Sequence, residues 1–144
     1  VSAGRTTWLI AAEAAPWRAP LTAQLAAHGM GVELVAATQA DTWHRTGAMP
    51  EVRGLPQLLV IPVEAACADD WALLRLLERA PVWRCVPRVV VGHPDDPDAV
   101  TTCHGLGVAN VVALPPDVAP TAVEQFARYW ARTALLPAAE YLLG

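Results

Sequence analysis

Apolar and polar positions alternate along the chain in blocks of two kinds. Short apolar runs occur at Thr6–Ala12 (TTWLIAA), Val32–Ala37 (VELVAA), Leu58–Val63 (LLVIPV), Arg88–Val91 and Val108–Leu114. Their length and content of β-branched residues predict strands. Leu58–Val63 is apolar at every position, as expected of a strand covered on both faces. Segments of helical period lie between these runs. Pro16–His28 carries Leu21 and Leu25 four apart and stops at Gly29. Thr38–Gly47 predicts a weaker, shorter helix, followed by a polar loop over Ala48–Gly54. Asp69–Arg79 (DDWALLRLLER) is the clearest helix, with Asp69 and Asp70 as an N-terminal cap and arginines near its end. Asp96–Leu106 has Pro97 in its first turn and glycine at 105 and 107, and Pro120–Leu136 predicts a long final helix.

Strand and helix thus alternate five times, which predicts a parallel sheet with helices on both faces. The fold class expected is α/β, a flavodoxin-like (βα)5 doubly wound parallel five-stranded sheet of order 2-1-3-4-5. No repeat or linker divides the chain. It reads as a single domain over 1–144, with a core at 6–137 and a C-terminal tail at 138–144.

Composition changes this picture mainly by exclusion. The chain is 54% hydrophobic and 17% charged, so a sizeable core is available. All ten basic residues are arginine, there is no lysine, and the only serine is Ser2. A phosphate-binding loop lysine, a Schiff-base lysine and a core serine nucleophile are therefore excluded. The net charge of −4 and the scattered arginines leave no basic stripe for nucleic acid. No apolar run reaches the ~18–20 residues of a membrane span, and no signal-peptide pattern opens the chain. Three widely spaced cysteines, Cys67, Cys85 and Cys103, are not a disulfide framework, and the expectation is a cytoplasmic protein.

In a doubly wound sheet, chemistry sits at the carboxyl ends of the strands. Here those ends are Ala12-Glu13, Pro62-Val63-Glu64, Gly92-His93 and Leu114-Pro115. Their spacing resembles that of the receiver (CheY-like) domains of two-component response regulators. Leu55–Pro62 (LPQLLVIP) is similar to the receiver run that ends in the phosphoacceptor aspartate. Arg75, Pro87, Gly92 and the Gly107-Val108-Ala109-Asn110 turn follow without a gap, and Leu114-Pro115 falls on the receiver's Lys-Pro. Within the family the chain is most similar to the small single-domain regulators that partner bacterial phytochrome kinases. The resemblance there rests on the loop Arg45–Gly54, the turn Ala80–Pro87 (APVWRCVP) and the closing segment Phe126–Pro137 (FARYWARTALLP).

The resemblance implies a phosphorylation pocket, and this chain departs from it at nearly every position. The acidic pair that would hold Mg²⁺ is Ala12-Glu13, and the acceptor position is Pro62. The hydroxyl position is Gly92, and the lysine position is Leu114. Proline in place of aspartate removes the atom that bonds to phosphorus. The expectation is a non-phosphorylatable pseudo-receiver that is not an enzyme, has no cofactor and acts through protein–protein contact. The resemblance further implies a cis Leu114–Pro115 bond and, as partner, a sensor histidine kinase or another signalling protein. Glu64 shares Pro62's side of the strand if the extended geometry continues, and can then hold a cation with Glu13; the simpler reading is a solvated loop carboxylate. Trp17 is either an apolar plug over the emptied pocket or a partly exposed aromatic at a helix start.

Other chemistry is less well supported by spacing. His93, Cys103 and His104 lie close in sequence, but adjacent Cys103 and His104 point about 100° apart on a helix, which disfavours zinc. Cys67 has no histidine near it to act as a base. The final helix carries a surplus of apolar residues. Phe126, Trp130 and Ala134 form a stripe that can face the sheet, with Tyr129, Ala131 and Leu135 beside it and Leu136, Tyr141, Leu142 and Leu143 beyond. Phe126, Tyr129, Trp130, Leu135 and Leu136 are therefore candidate homodimer residues, through the last helix and tail. Two alternatives stay open: a flavodoxin-like small-ligand binder or enzyme, and a receiver-like domain detached from a longer regulator. The first expects a Gly-rich or hydroxyl-rich loop after the first strand, where the chain has Glu13–Trp17 (EAAPW).

Overall fold

The computed structural model describes residues 6–10, 16–50, 55–92, 97–114 and 120–135. Five strands, β1 (Thr6–Ile10), β2 (Gly31–Val35), β3 (Leu58–Pro62), β4 (Arg88–Gly92) and β5 (Asn110–Ala113), form one parallel sheet of order 2-1-3-4-5. The helices are α1 (Arg18–Ala27), α2 (Ala37–Thr46), α3 (Val63–Arg79), α4 (Pro97–Gly105) and α5 (Pro120–Leu135). A 3-10 turn at Trp83–Cys85 precedes β4. The flavodoxin-like fold read from the alternation is the observed one.

Alternation along each strand divides the core into two layers. On one face Trp8, Ile10, Leu59, Ile61 and Val90 meet Ala40 of α2, Leu73, Leu74 and Leu77 of α3, and Cys103 of α4. On the other, Leu9, Leu58, Val60, Val89 and Val91 meet Leu21 and Leu25 of α1 and Val123, Phe126, Ala127 and Trp130 of α5. The central strands β3 and β4 are buried at every position, apolar throughout except for Arg88, which opens β4. Three tryptophans anchor the first layer. Trp8 stacks on Trp43 with ring centroids 6.1 Å apart and lies 5.3 Å from Trp83.

An ion pair between a buried arginine and a partly exposed glutamate ties the lower end of this layer together. Arg88, at the start of β4, is 3% exposed. Its guanidinium donates to the carbonyls of Trp83, Val86 and Gly107 and to Glu78 Oε1 on α3. Burial pushes the Arg88 pKa down, while the Glu78 carboxylate pushes it back up. Gly107, at φ +84°, lies against this pair.

The structure corrects the reading of the third helix. It begins at Val63, directly after β3, rather than at Asp69. The helical turn Val63–Cys67 is then broken: Ala68 is extended, and Asp69, Asp70 and Trp71 take left-handed conformations with φ of 52°, 58° and 64°. Asp69 and Asp70 therefore do not form a regular N-terminal cap. Left-handed backbone costs about 1–2 kcal/mol at each non-glycine residue. Packing of the Trp71 side chain against the first core layer offsets part of that cost.

Candidate functional site

The carboxyl edge of β3, β4 and β5 carries Pro62 and Gly92 at strand ends and Leu114 directly after β5. Pro62 is buried at the end of β3, opposite Val91 of β4. A proline is tolerated there because the strand ends with it, and its backbone serves as the N-cap of α3. Gly92 closes β4 at φ +138°, a conformation side chains rarely adopt. A Cβ at Gly92 would lie 2.9 Å from Val63 Cγ1. The position where the resemblance places a hydroxyl is thus filled by the neighbouring valine. Leu114 is 3% exposed, packs in the second core layer, and its N–H donates to the Gly92 carbonyl at 2.9 Å.

Trp17 is buried in the same layer as Leu114, which settles it as a core residue rather than an exposed aromatic. Glu64 is solvent-exposed, as its simpler reading expected, but on the first turn of α3 and not on a loop or in the pocket, because the chain turns helical immediately after Pro62. The extended geometry that would have put it on Pro62's side does not continue. Ala12, Glu13, Pro115 and the Leu114–Pro115 bond lie outside the described residues, as do His93, Leu136 and the tail.

The remaining candidates separate in space. Cys103 is buried on α4, where burial first and Cys67 second push its thiol pKa up, away from nucleophilic reactivity. Exposed Cys67 directs its thiol to the Glu64 carbonyl at 3.7 Å, and His104 Nδ1 lies 3.3 Å from the Val108 carbonyl. On α5, Phe126 and Trp130 are 6% and 5% exposed, so they are core and not interface residues. Their four-residue spacing turns both toward the sheet. Tyr129 is 59% exposed and packs edge-on against Trp130, with ring centroids 5.1 Å apart. Leu135 ends α5.

An apolar groove of about 320 Å³ lies at the other edge of the sheet, beside Trp83 and the loop before β3. Met49, Leu55, Pro81 and Val82 line it, and among the described lining residues there is no charged or hydroxyl side chain to orient a substrate. Asp41, His44 and Asp69 converge between α2 and α3. The i,i+3 spacing of Asp41 and His44 is visible in the sequence, but Asp69, read there as a helix cap, reaches His44 only through the left-handed break in α3.

The sheet order and the two helical layers match the fold seen in response-regulator receiver domains. A phosphorylated cyanobacterial phytochrome response regulator, RcpA, is similar at a TM-score of 0.71 and 19% identity, over 92% of this chain and 98% of its own. The Mn²⁺-bound form of another response regulator gives 0.69 and 18%, over 92% and 99%. A response regulator from Chloroflexus aurantiacus gives 0.63 and 15%, over 89% and 98%. No family model and no curated protein matches the chain. Among the described residues, no helix is long and apolar enough to cross a membrane.

Proposed function

We propose that this chain is a pseudo-receiver: a receiver fold that accepts no phosphoryl group and acts in two-component signalling through protein–protein contact. The observation that carries this reading is the apolar closure of the carboxyl edge. Pro62 offers no nucleophile, Val63 occupies the space beside Gly92, and Leu114 is turned into the core. Among the described residues of this edge, Pro62, Val63, Gly92 and Leu114 supply neither an oxygen to attack phosphorus nor a cation to stabilise the transferred group. The reading assigns the protein no enzymatic activity, no cofactor and a cytoplasmic location. Its partner class is a sensor histidine kinase or other signalling protein; the likeness to a phytochrome response regulator favours a phytochrome kinase. Beryllofluoride with Mg²⁺ mimics a phosphoryl group on a carboxylate. Adding it is expected to leave the amide NMR spectrum unchanged, whereas shifts clustered at Ile61, Val63, Gly92 and Leu114 would reject the reading.

The same reading includes a homodimer through α5 and the tail, now with Tyr129 as its exposed aromatic in place of Phe126 and Trp130. Light scattering at micromolar concentration is expected to give twice the chain mass. Tyr129→Glu is expected to return it to the monomer mass without loss of fold, because the ring is exposed. A wild-type monomer, or a dimer indifferent to Tyr129→Glu, would contradict this interface.

A further inference from the structure

We propose that Asp41, His44 and Asp69 form a binding site for one divalent transition cation, zinc first, between α2 and the break in α3. One ligand atom from each residue lies within 4.8 Å of the others. His44 Nε2 is 2.7 Å from Asp41 Oδ1 and 3.5 Å from Asp69 Oδ2. Zinc–ligand bonds of about 2.0–2.2 Å set tetrahedral ligands about 3.4 Å apart. The His44–Asp69 separation already has that value. The His44–Asp41 pair is at hydrogen-bond length and must open by less than about 1 Å, within reach of a carboxylate rotation.

The supporting structure is that of a built site. Asp41 and His44 stand at i and i+3 on α2, so both face the same side of the helix. The His44 side chain is 5% exposed, which fixes the ring with Nε2 toward both carboxylates. Arg45 Nε holds the other Asp41 oxygen at 2.9 Å, leaving Oδ1 turned to the histidine. Asp69 arrives from a separate element, carried by the left-handed backbone. A histidine needs one carboxylate to orient it; the second adds negative charge that a dication neutralises. One imidazole and two carboxylates favour zinc over magnesium, which prefers oxygen alone. Both carboxylates are partly exposed, at 47% and 68%, so water can complete the coordination. The site is distinct from the carboxyl edge and independent of the pseudo-receiver reading. Occupied, it would clamp α2 to the start of α3.

Isothermal titration of the full chain with zinc chloride at neutral pH tests the site, in a Cys67→Ser, Cys85→Ser background that removes the exposed thiols. One zinc per chain is expected. Asp69→Asn is expected to weaken binding at least tenfold and Asp70→Asn, on the neighbouring residue, to leave it unchanged. Both are exposed positions, and asparagine tolerates the left-handed conformation, so the fold survives. Absence of binding would show that His44 is only ion-paired and would overturn the proposal, as would binding that survives Asp69→Asn.

Discussion

Glu78→Ala is expected to destabilise the fold by about 3 kcal/mol, a large part of the ~5–15 kcal/mol that holds a domain together. Removing one member of a fully buried ion pair costs about 3–5 kcal/mol, and the 35% exposure of Glu78 lets solvent screen part of that cost here. Arg88 keeps three backbone carbonyls as acceptors, which places the effect at the lower end. In urea the midpoint is expected to fall by about 1–3 M. Glu124→Ala is the control: it breaks the exposed Glu124–Arg128 pair on α5 and should cost only about 0.3–0.5 kcal/mol. Gly107→Ala reaches the same ion pair from the other side. Its methyl would enter the space of Glu78 Oε1, come within 2.6 Å of Arg88 Nη2, and force a φ of +84° on alanine. Equal losses for Glu78→Ala and Glu124→Ala would show that the buried pair contributes nothing special.

Gly92→Ser, which restores a hydroxyl where a receiver carries one, is expected to destabilise the protein by about 2–4 kcal/mol and restore no phosphorylation. Two effects combine. The backbone at φ +138° disfavours any side chain, and the new Cβ would approach Val63 Cγ1 to 2.9 Å. Val63→Ala in the same chain removes the contact but not the backbone strain, so the double variant should regain only part of the loss. A chemical denaturation series on the three variants measures this. Neutral behaviour of Gly92→Ser would mean that the edge is open enough to take a side chain, against the closure described above.

The alternation of apolar runs and helical periods made the sheet legible, because strands buried on both faces cannot hide their composition. Leu58–Val63 and the VVV of β4 are the clearest instances. The places of Pro62, Gly92 and Leu114 were legible through spacing, since all three end strands or follow them directly. Illegible were features that depend on pairing across the fold. Val63 belongs to a helix, yet in sequence it continues an apolar strand. Arg88 reads as a strand residue, and only the packed structure shows Glu78 beside it. Phe126 and Trp130 share a stripe whose burial the helical period permits but does not compel. His44 and Asp69 meet because three non-glycine residues adopt left-handed backbone, which no propensity rule anticipates.

Mass spectrometry of the intact chain after incubation with a small phosphodonor and Mg²⁺ tests the closed carboxyl edge most directly. A site with Pro62 at the acceptor position predicts an unchanged mass at every time point. Stoichiometric addition of a phosphoryl group would contradict it.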